Sequence, residues 1–389
     1  MKKVLVLGGG FAGVEVAIYL RKNDFDVTLV SDRDYFYIYP TSIWIPTGEV
    51  SKEDVSVPLE KLAFKHGFKL IVDPVTHINA SEKIVNLESG RILKGYDYIV
   101  MALGQDKLKH KGIEHTLSIC GKPEEAVAMY EKLDRLIARG SGKIAMGFGG
   151  NSKDTSAVRG GPAFELLFNV HHYLKKKGVR DNFELTFFAP MAKPGQKMGD
   201  KALVMMDKMF KMTNIKQRIG KKITHFEAGL IHFEDQSTLE ADLTMFISAG
   251  AGHSILAQSG VPLSEAGFVE TNEFNEIEGF ESVYAIGDSA SLLGPNWRAK
   301  QGHVAEVMAK NVAYQITNHA QNIDSKRSYM EHLNILCVMD TGNGAAFVYR
   351  SDTTAKMIPM PIVGHWMKKG WGWYCKNSKL GKFPRIPGM

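Results

Sequence analysis

The residues Gly8-Gly9-Gly10-Phe11-Ala12-Gly13 have the spacing G-x-G-x-x-G, which suits a dinucleotide pyrophosphate. Gly8 makes a tight turn, Gly10 lets the backbone approach the phosphates, and Gly13 lets a helix pack closely on a strand; Phe11 and Ala12 open that helix. The free N–H groups and positive dipole end of the helix then hold the anion. Ser31 and Asp32 lie 18 and 19 residues beyond Gly13, where an acid ordinarily bonds ribose hydroxyls. Asp32 does so, or Ser31 if Asp32 points outward. Sulfur offers a second chemistry. Cys120, Cys337 and Cys375 are too few for a disulfide framework, so each reads as a buried inert thiol or as a redox or catalytic one. No paired-Cys or His-x-x-x-His spacing marks a metal site.

These groups need elements to hold them. Val4 to Leu7 is an apolar run that stops at the glycines, Val14 to Lys22 reads as a helix, and Val27 to Val30 as the next strand, a βαβ unit. Lys143 to Met146, Phe183 to Phe188 and Leu243 to Ser248 are continuous apolar runs of the kind that parallel strands buried on both faces require. Strands at Tyr96–Gly104 and Val283–Asp288 bracket almost 200 residues, as in a domain interrupted by an inserted one.

Composition narrows the function classes. With 389 residues, 44% hydrophobic and 23% charged, the chain is long enough for two or three domains with cores and is neither disordered nor fibrous. A net charge of +6, from 48 basic and 42 acidic residues, is too balanced for a nucleic-acid binder. No run approaches the roughly 20 apolar residues of a membrane span, and Met1-Lys2-Lys3 enters a strand pattern without a signal peptide's apolar segment. From Pro359 onward Trp366, Trp371, Trp373, Tyr374 and Phe383 interleave with Lys368, Lys369, Lys376, Lys379, Lys382 and Arg385. That reads as a helix docked by its tryptophans or, preferred here, as residues 360–389 lying in a membrane interface.

Ala102-Leu103-Gly104 and Ala285-Ile286-Gly287-Asp288, together with the first glycine motif, resemble the two-dinucleotide-binding-domain flavoproteins, the pyridine-nucleotide–disulfide oxidoreductase superfamily, to about residue 320. The resemblance implies bound FAD, with Ala102 and Gly104 at the cofactor, Val75 meeting adenine through its backbone, Gly287 passing the pyrophosphate and Asp288 bonding the ribityl chain. The implied fold is α/β, two Rossmann-like domains plus a C-terminal membrane-interface segment. Residues 1–105 and 251–320 form the FAD-binding domain, 106–250 the inserted second dinucleotide-type domain, and 321–389 a flavin-face and membrane-anchoring region.

Gly160-Gly161-Pro162-Ala163-Phe164-Glu165, Ser31 to Phe36, Leu117-Ser118-Ile119-Cys120 and Cys337 to Ala346 are similar to sulfide:quinone oxidoreductases and the flavoprotein subunit of flavocytochrome c sulfide dehydrogenases. This implies that Cys337 faces the isoalloxazine ring and attacks or carries sulfide sulfur. The family's second essential cysteine belongs in the stretch Ser156 to Gly160, where this chain has none. Cys337 therefore pairs with Cys120, which matches an outer family cysteine of secondary role, or works alone. Tyr39-Pro40-Thr41-Ser42 lacks the cysteine of a covalent flavin link.

Gly147, Gly149 and Gly150 begin a turn after the strand at Lys143, but a helix opens only near Pro162, and no acid follows Phe187-Phe188-Ala189-Pro190 at a ribose position, which disfavours NADH. Lys300 and Gln301 precede a helix whose N-terminus points at the flavin's pyrimidine edge, where Lys300 adds a positive charge. His253, His303 and His365 are candidates for moving protons. The expected protein is a peripheral enzyme on the cell membrane passing electrons from sulfide through FAD to a quinone; a homo-oligomer is compatible with the sequence. The rival readings are a type II NADH:quinone dehydrogenase and a soluble FAD subunit serving a cytochrome.

Overall fold

A computed structural model describes every residue except Pro387 and Met389. Val4, Leu5, Val6 and Leu7 are fully buried, so the strand Lys3–Leu7 sits inside a sheet with apolar cover on both faces. That sheet has six strands in the order Glu276–Ile277, Phe280–Ala285, Tyr98–Met101, Lys3–Leu7, Asp26–Ser31 and Lys69–Val72. All neighbours pair in parallel except the edge strand Glu276–Ile277. The late strand Phe280–Ala285 returns beside Tyr98–Met101, with Val283 opposite Ile99. This register brings Gly287-Asp288 next to Ala102-Leu103-Gly104, and Ser289 ties the two turns: its Oγ accepts from the Gly104 N–H at 2.9 Å and donates to the Gly104 carbonyl at 3.2 Å.

A second, four-stranded parallel sheet orders Lys216–Ile219, Phe183–Ala189, Gly142–Phe148 and Leu243–Ile247. An antiparallel sheet of Ile223–Glu227, Leu230–Phe233 and Thr238–Glu240 packs Ile223, Phe226, Ile231 and Phe233 against Phe188 and Phe246 of the larger one. The helix after the glycine motif runs Phe11–Lys22, three residues earlier than the apolar pattern indicated, because the motif itself forms its first turn.

An antiparallel meander of Ile335–Asp340, Gly344–Arg350 and Ala355–Pro361, for which the sequence carries no clear strand signal, precedes a helix over Val363–Lys379. Gly372 lets that helix approach Thr41 closely: a Cβ there would fall 2.4 Å from the Thr41 methyl carbon. Among the described residues no helix is long and apolar enough to cross a membrane.

Candidate active site

One cavity of about 1930 Å³ is lined by Gly8, Gly10, Phe11 and Ala12, by Ser31, Asp32 and Val75, by Ala102 and Gly104, by Gly287 and Asp288, and by Lys300 and Gln301. The volume exceeds the roughly 300–1,000 Å³ typical of small-ligand pockets. The glycines divide the work as their spacing implies. A Cβ on Gly8 (φ +116°) would lie 2.1 Å from the Ala102 carbonyl oxygen and one on Gly13 1.8 Å from the Gly8 oxygen, whereas one on Gly10 meets nothing within 4 Å. Gly8 and Gly13 close the turn; Gly10 leaves open space for a ligand.

Two helix N-termini serve this space. Phe11–Lys22 has no side-chain cap and no acid in its first turn, and its first internal bond comes from the Val14 N–H to the Gly10 carbonyl. The helix Gly302–Ala320, with Gln301 at its N-cap position, likewise has no side-chain cap and no acid in its first turn. Open donors and two positive dipole ends fit a pyrophosphate and an anionic ring edge. At the ribose position Ser31 is buried, with its Oγ accepting from the Arg33 N–H at 3.3 Å, and Asp32 is exposed at the cavity rim.

These residues fit FAD. A Gly10→Val protein should therefore fold, since the added Cβ meets no protein atom within 4 Å, yet purify without yellow colour because the side chain fills the phosphate space. Circular dichroism and flavin content of the purified variant check both halves.

Cys120 and Cys337 line the same cavity, and all three cysteines are free thiols. Cys337 lies on the strand Ile335–Asp340, where its Sγ is 3.9 Å from Glu165 Oε1. Glu165 is buried; its Oε2 accepts from the Asp340 N–H at 3.2 Å and forms an ion pair with the buried Lys368 ammonium. Burial first, then the Glu165 carboxylate, push the Cys337 thiol up to about 12, against Lys368. A cation is present beside this thiol but spends its charge on Glu165, whose own pKa burial raises against Lys368. Behind this pair, Asp340 accepts from Trp44 Nε1 at 3.2 Å and pairs with His365 Nδ1 at 2.7 Å. Burial opposes ionisation of Asp340, but the His365 and Gly342 bonds outweigh it and hold the carboxyl low. His365 Nε2 in turn lies 3.6 Å from Glu49 at the surface.

Within the stretch where the resemblance places a second cysteine, Arg159 reaches into the cavity and pairs with Asp288. Lys300 lines the cavity, but its ammonium donates to the Asp288 and Ala290 carbonyls and stacks 3.8 Å above Phe268. Burial lowers its pKa to about 8. The expectation that Lys300 adds a charge at the flavin edge is corrected accordingly, since that charge faces backbone carbonyls. His303 is lowered to about 4 by burial, and His253 bonds its own turn at the Ile255 N–H, so neither is arranged as a proton carrier. Arg159, Glu165, Lys368 and Ser289 were not singled out as site residues. Glu165 closes the quoted run Gly160 to Glu165 and Ser289 follows Asp288, whereas Lys368 stands out only as a basic residue of the aromatic tail.

After the strand Gly142–Phe148 the chain does not make a phosphate turn. Asn151 bonds the Gly250 carbonyl and takes the Lys153 and Asp154 N–H groups, Asp154 takes the Ser156 N–H, and the helix begins only at Gly161.

Glycine turns, two open helix N-termini and a thiol around one cavity define a dinucleotide-dependent oxidoreductase. The chain belongs to the pyridine nucleotide-disulphide oxidoreductase family, whose profile matches residues 2–321; it is an FAD-dependent enzyme of that family. It is 28% identical to a sulfide-quinone reductase of Aquifex aeolicus over 372 residues, covering 90% of this chain and 83% of that one. A type II NADH:quinone oxidoreductase of Staphylococcus epidermidis is 24% identical, covering 91% and 92%. Among solved structures, the sulfide:quinone oxidoreductase of Aquifex aeolicus superposes with a TM-score of 0.87 at 25% identity, covering 98% of this chain and 92% of that one.

Proposed function

We propose that this chain oxidises sulfide and passes the electrons through FAD to a quinone at a membrane surface. The observation that carries the reading is Cys337, a thiol facing the cavity whose glycine turns fit FAD, in a chain similar along nine-tenths of its length to a sulfide-quinone reductase. FAD, when bound, supplies the two-electron relay. Around it this chain's residues hold the phosphates at Gly8 to Gly13, keep Cys337 against Glu165, and keep Glu165 against Lys368. Glu165 is placed to accept the Cys337 proton when the sulfur engages sulfide. Arg159 leaves no second sulfur in its stretch, so Cys337 works alone or with Cys120. The self-bonded loop 149–160 argues against the NADH reading. Purified holoenzyme should reduce a short-chain quinone when given sulfide and not when given NADH; NADH-driven reduction without sulfide activity would overturn the proposal.

The membrane contact proposed for residues 360–389 rests on an apolar face. Ile362, Val363, Trp366, Met367 and Trp373 are each exposed, the last four at helical spacing on Val363–Lys379, and Ile362 holds a left-handed φ of +61°, a strained conformation for a β-branched residue. The lysines do not contribute as expected. Lys368 and Lys379 are buried in ion pairs, Lys369 pairs with Glu49 at 2.7 Å, and Lys376 donates to the Glu53 and Asp54 carbonyls. These charges fasten the helix to the body, so attachment is mainly apolar and resists salt. Each large side chain withdrawn from water contributes on the order of 1.5–3 kcal/mol. The double variant Val363→Asp, Trp366→Ser should leave lipid vesicles for the supernatant by at least about tenfold while keeping its FAD, as vesicle sedimentation will measure.

A further inference from the structure

We propose that His225, Glu227 and His232 form a binding site for a divalent transition metal, zinc by preference, on the outer face of the hairpin formed by Ile223–Glu227 and Leu230–Phe233. The sequence suggested no metal because its spacing rule looks along one helix, whereas this group is assembled across two strands. Ile223 pairs with Phe233 and His225 with His232, so two steps on the first strand match one on the second, with Thr224 as the extra residue. This bulge resets the alternation. Ile223 and Phe226 both remain buried, while His225 and Glu227 emerge on the same side as His232.

The hydrogen bonds define one ring's state. The Thr224 hydroxyl has one hydrogen and donates it to the His232 carbonyl at 3.1 Å, so it accepts from His225 Nδ1 at 3.1 Å. His225 therefore carries a proton on Nδ1 and, as the neutral imidazole, turns its Nε2 lone pair toward Glu227 Oε1, 3.4 Å away. His232 Nε2 lies 3.3 Å from Glu227 Oε2 and is shielded from solvent with no hydrogen-bond partner. Lone pairs facing a carboxylate repel unless a cation lies between them. The two rings stack 4.0 Å apart, so their Nε2 atoms meet the same carboxylate side by side.

A single metal ion satisfies all three groups. Tetrahedral zinc with bonds of about 2.0–2.1 Å sets its ligand atoms about 3.3–3.4 Å apart. His225 Nε2 stands 3.4 Å from Glu227 Oε1 and His232 Nε2 3.3 Å from Oε2, so a small turn of the carboxylate brings one oxygen to an ion shared by both rings. All three ligand atoms lie within 4.8 Å of one another. The rings, now 10° from parallel, must tilt toward a shared ion. Glu227 is more than half exposed, which leaves the ion an entry path and a water as fourth ligand. Two imidazoles and a carboxylate favour zinc or copper over magnesium or calcium. None of the three residues lines the FAD cavity, so the site stands apart from the redox reaction.

Calorimetric titration of untagged holoenzyme with zinc chloride should show one site of micromolar or tighter affinity. His225→Ala and His232→Ala should each weaken it by at least about tenfold. Both variants should keep full flavin content, which separates loss of the site from loss of the fold. X-ray absorption of the stoichiometric zinc complex should show a first shell of nitrogen and oxygen with two imidazoles. Undiminished affinity in both variants, sulfur in the first shell, or no zinc binding by the parent protein would each overturn the proposal.

Discussion

Cys337→Ser is expected to remove sulfide-dependent reduction of the flavin, lowering its rate on the order of a thousandfold or more, because a hydroxyl cannot carry sulfur. Flavin content should be unchanged, since the residue meets the cavity on the meander and not on the glycine turns. Cys120→Ser should slow reduction only partly, and Cys375→Ser should leave it intact because that thiol lies on the buried face of the C-terminal helix and does not line the cavity. The environment of Cys337 adds a pH signature. A thiol held near 12 by burial and Glu165 gains thiolate tenfold per pH unit below that value. Alkylation of Cys337 should therefore be slow at neutral pH and rise with pH. In Glu165→Gln, which removes the opposing negative charge and leaves Lys368 beside the sulfur, it should be faster at neutral pH. Stopped-flow bleaching and peptide mass spectrometry measure the two effects. Full sulfide reduction by Cys337→Ser would end the thiol mechanism.

Removing residues 360–389 should destroy FAD binding, not merely release the protein from membranes. Lys379 is completely buried and pairs with Glu15 at 3.0 Å and Glu306 at 2.7 Å, and Arg385 joins both acids. Glu15 lies on the glycine-motif helix and Glu306 on the helix that follows Gln301, so the tail clamps the two helices whose N-termini face the cavity. Burial pushes the Glu15 carboxyl up, but Lys379 and Arg385 outweigh it and hold it low. Its ionised form therefore stabilises the fold at neutral pH, and this contribution is lost as pH falls below the usual carboxylate range. Breaking such a buried pair costs about 3–5 kcal/mol, a large share of a domain's 5–15 kcal/mol. Lys379→Met should reproduce the loss in one substitution: a melting temperature lower by several degrees and depleted flavin, both read by thermal scanning of flavin fluorescence. A truncated or Lys379→Met protein that keeps its FAD and melting temperature would show that the clamp is dispensable.

The FAD-type half of the fold was readable because its signals are local. An apolar run ending in glycines admits one turn, and Ala102-Leu103-Gly104 and Ala285-Ile286-Gly287-Asp288 each sit at the end of a strand. The pairing of Cys337 with Glu165 was not readable, since 172 positions separate them and neither residue type announces the other. The same holds for Glu165 and Lys368, 203 positions apart. Lysines among tryptophans looked like lipid-facing charges, yet whether a lysine is exposed depends on whether a buried acid waits for it, and Glu15 lies 364 positions away from Lys379. The meander over residues 335–361 escaped notice because Pro359 and Pro361 in its last strand are weak strand formers, tolerated at a sheet edge.

Electrons are expected to enter this flavin from sulfide. Anaerobic mixing of the holoenzyme with sulfide, and separately with NADH, while following flavin absorbance near ~450 nm tests it directly. Rapid bleaching by sulfide with none by NADH is the predicted result. Bleaching by NADH with none by sulfide would contradict the account.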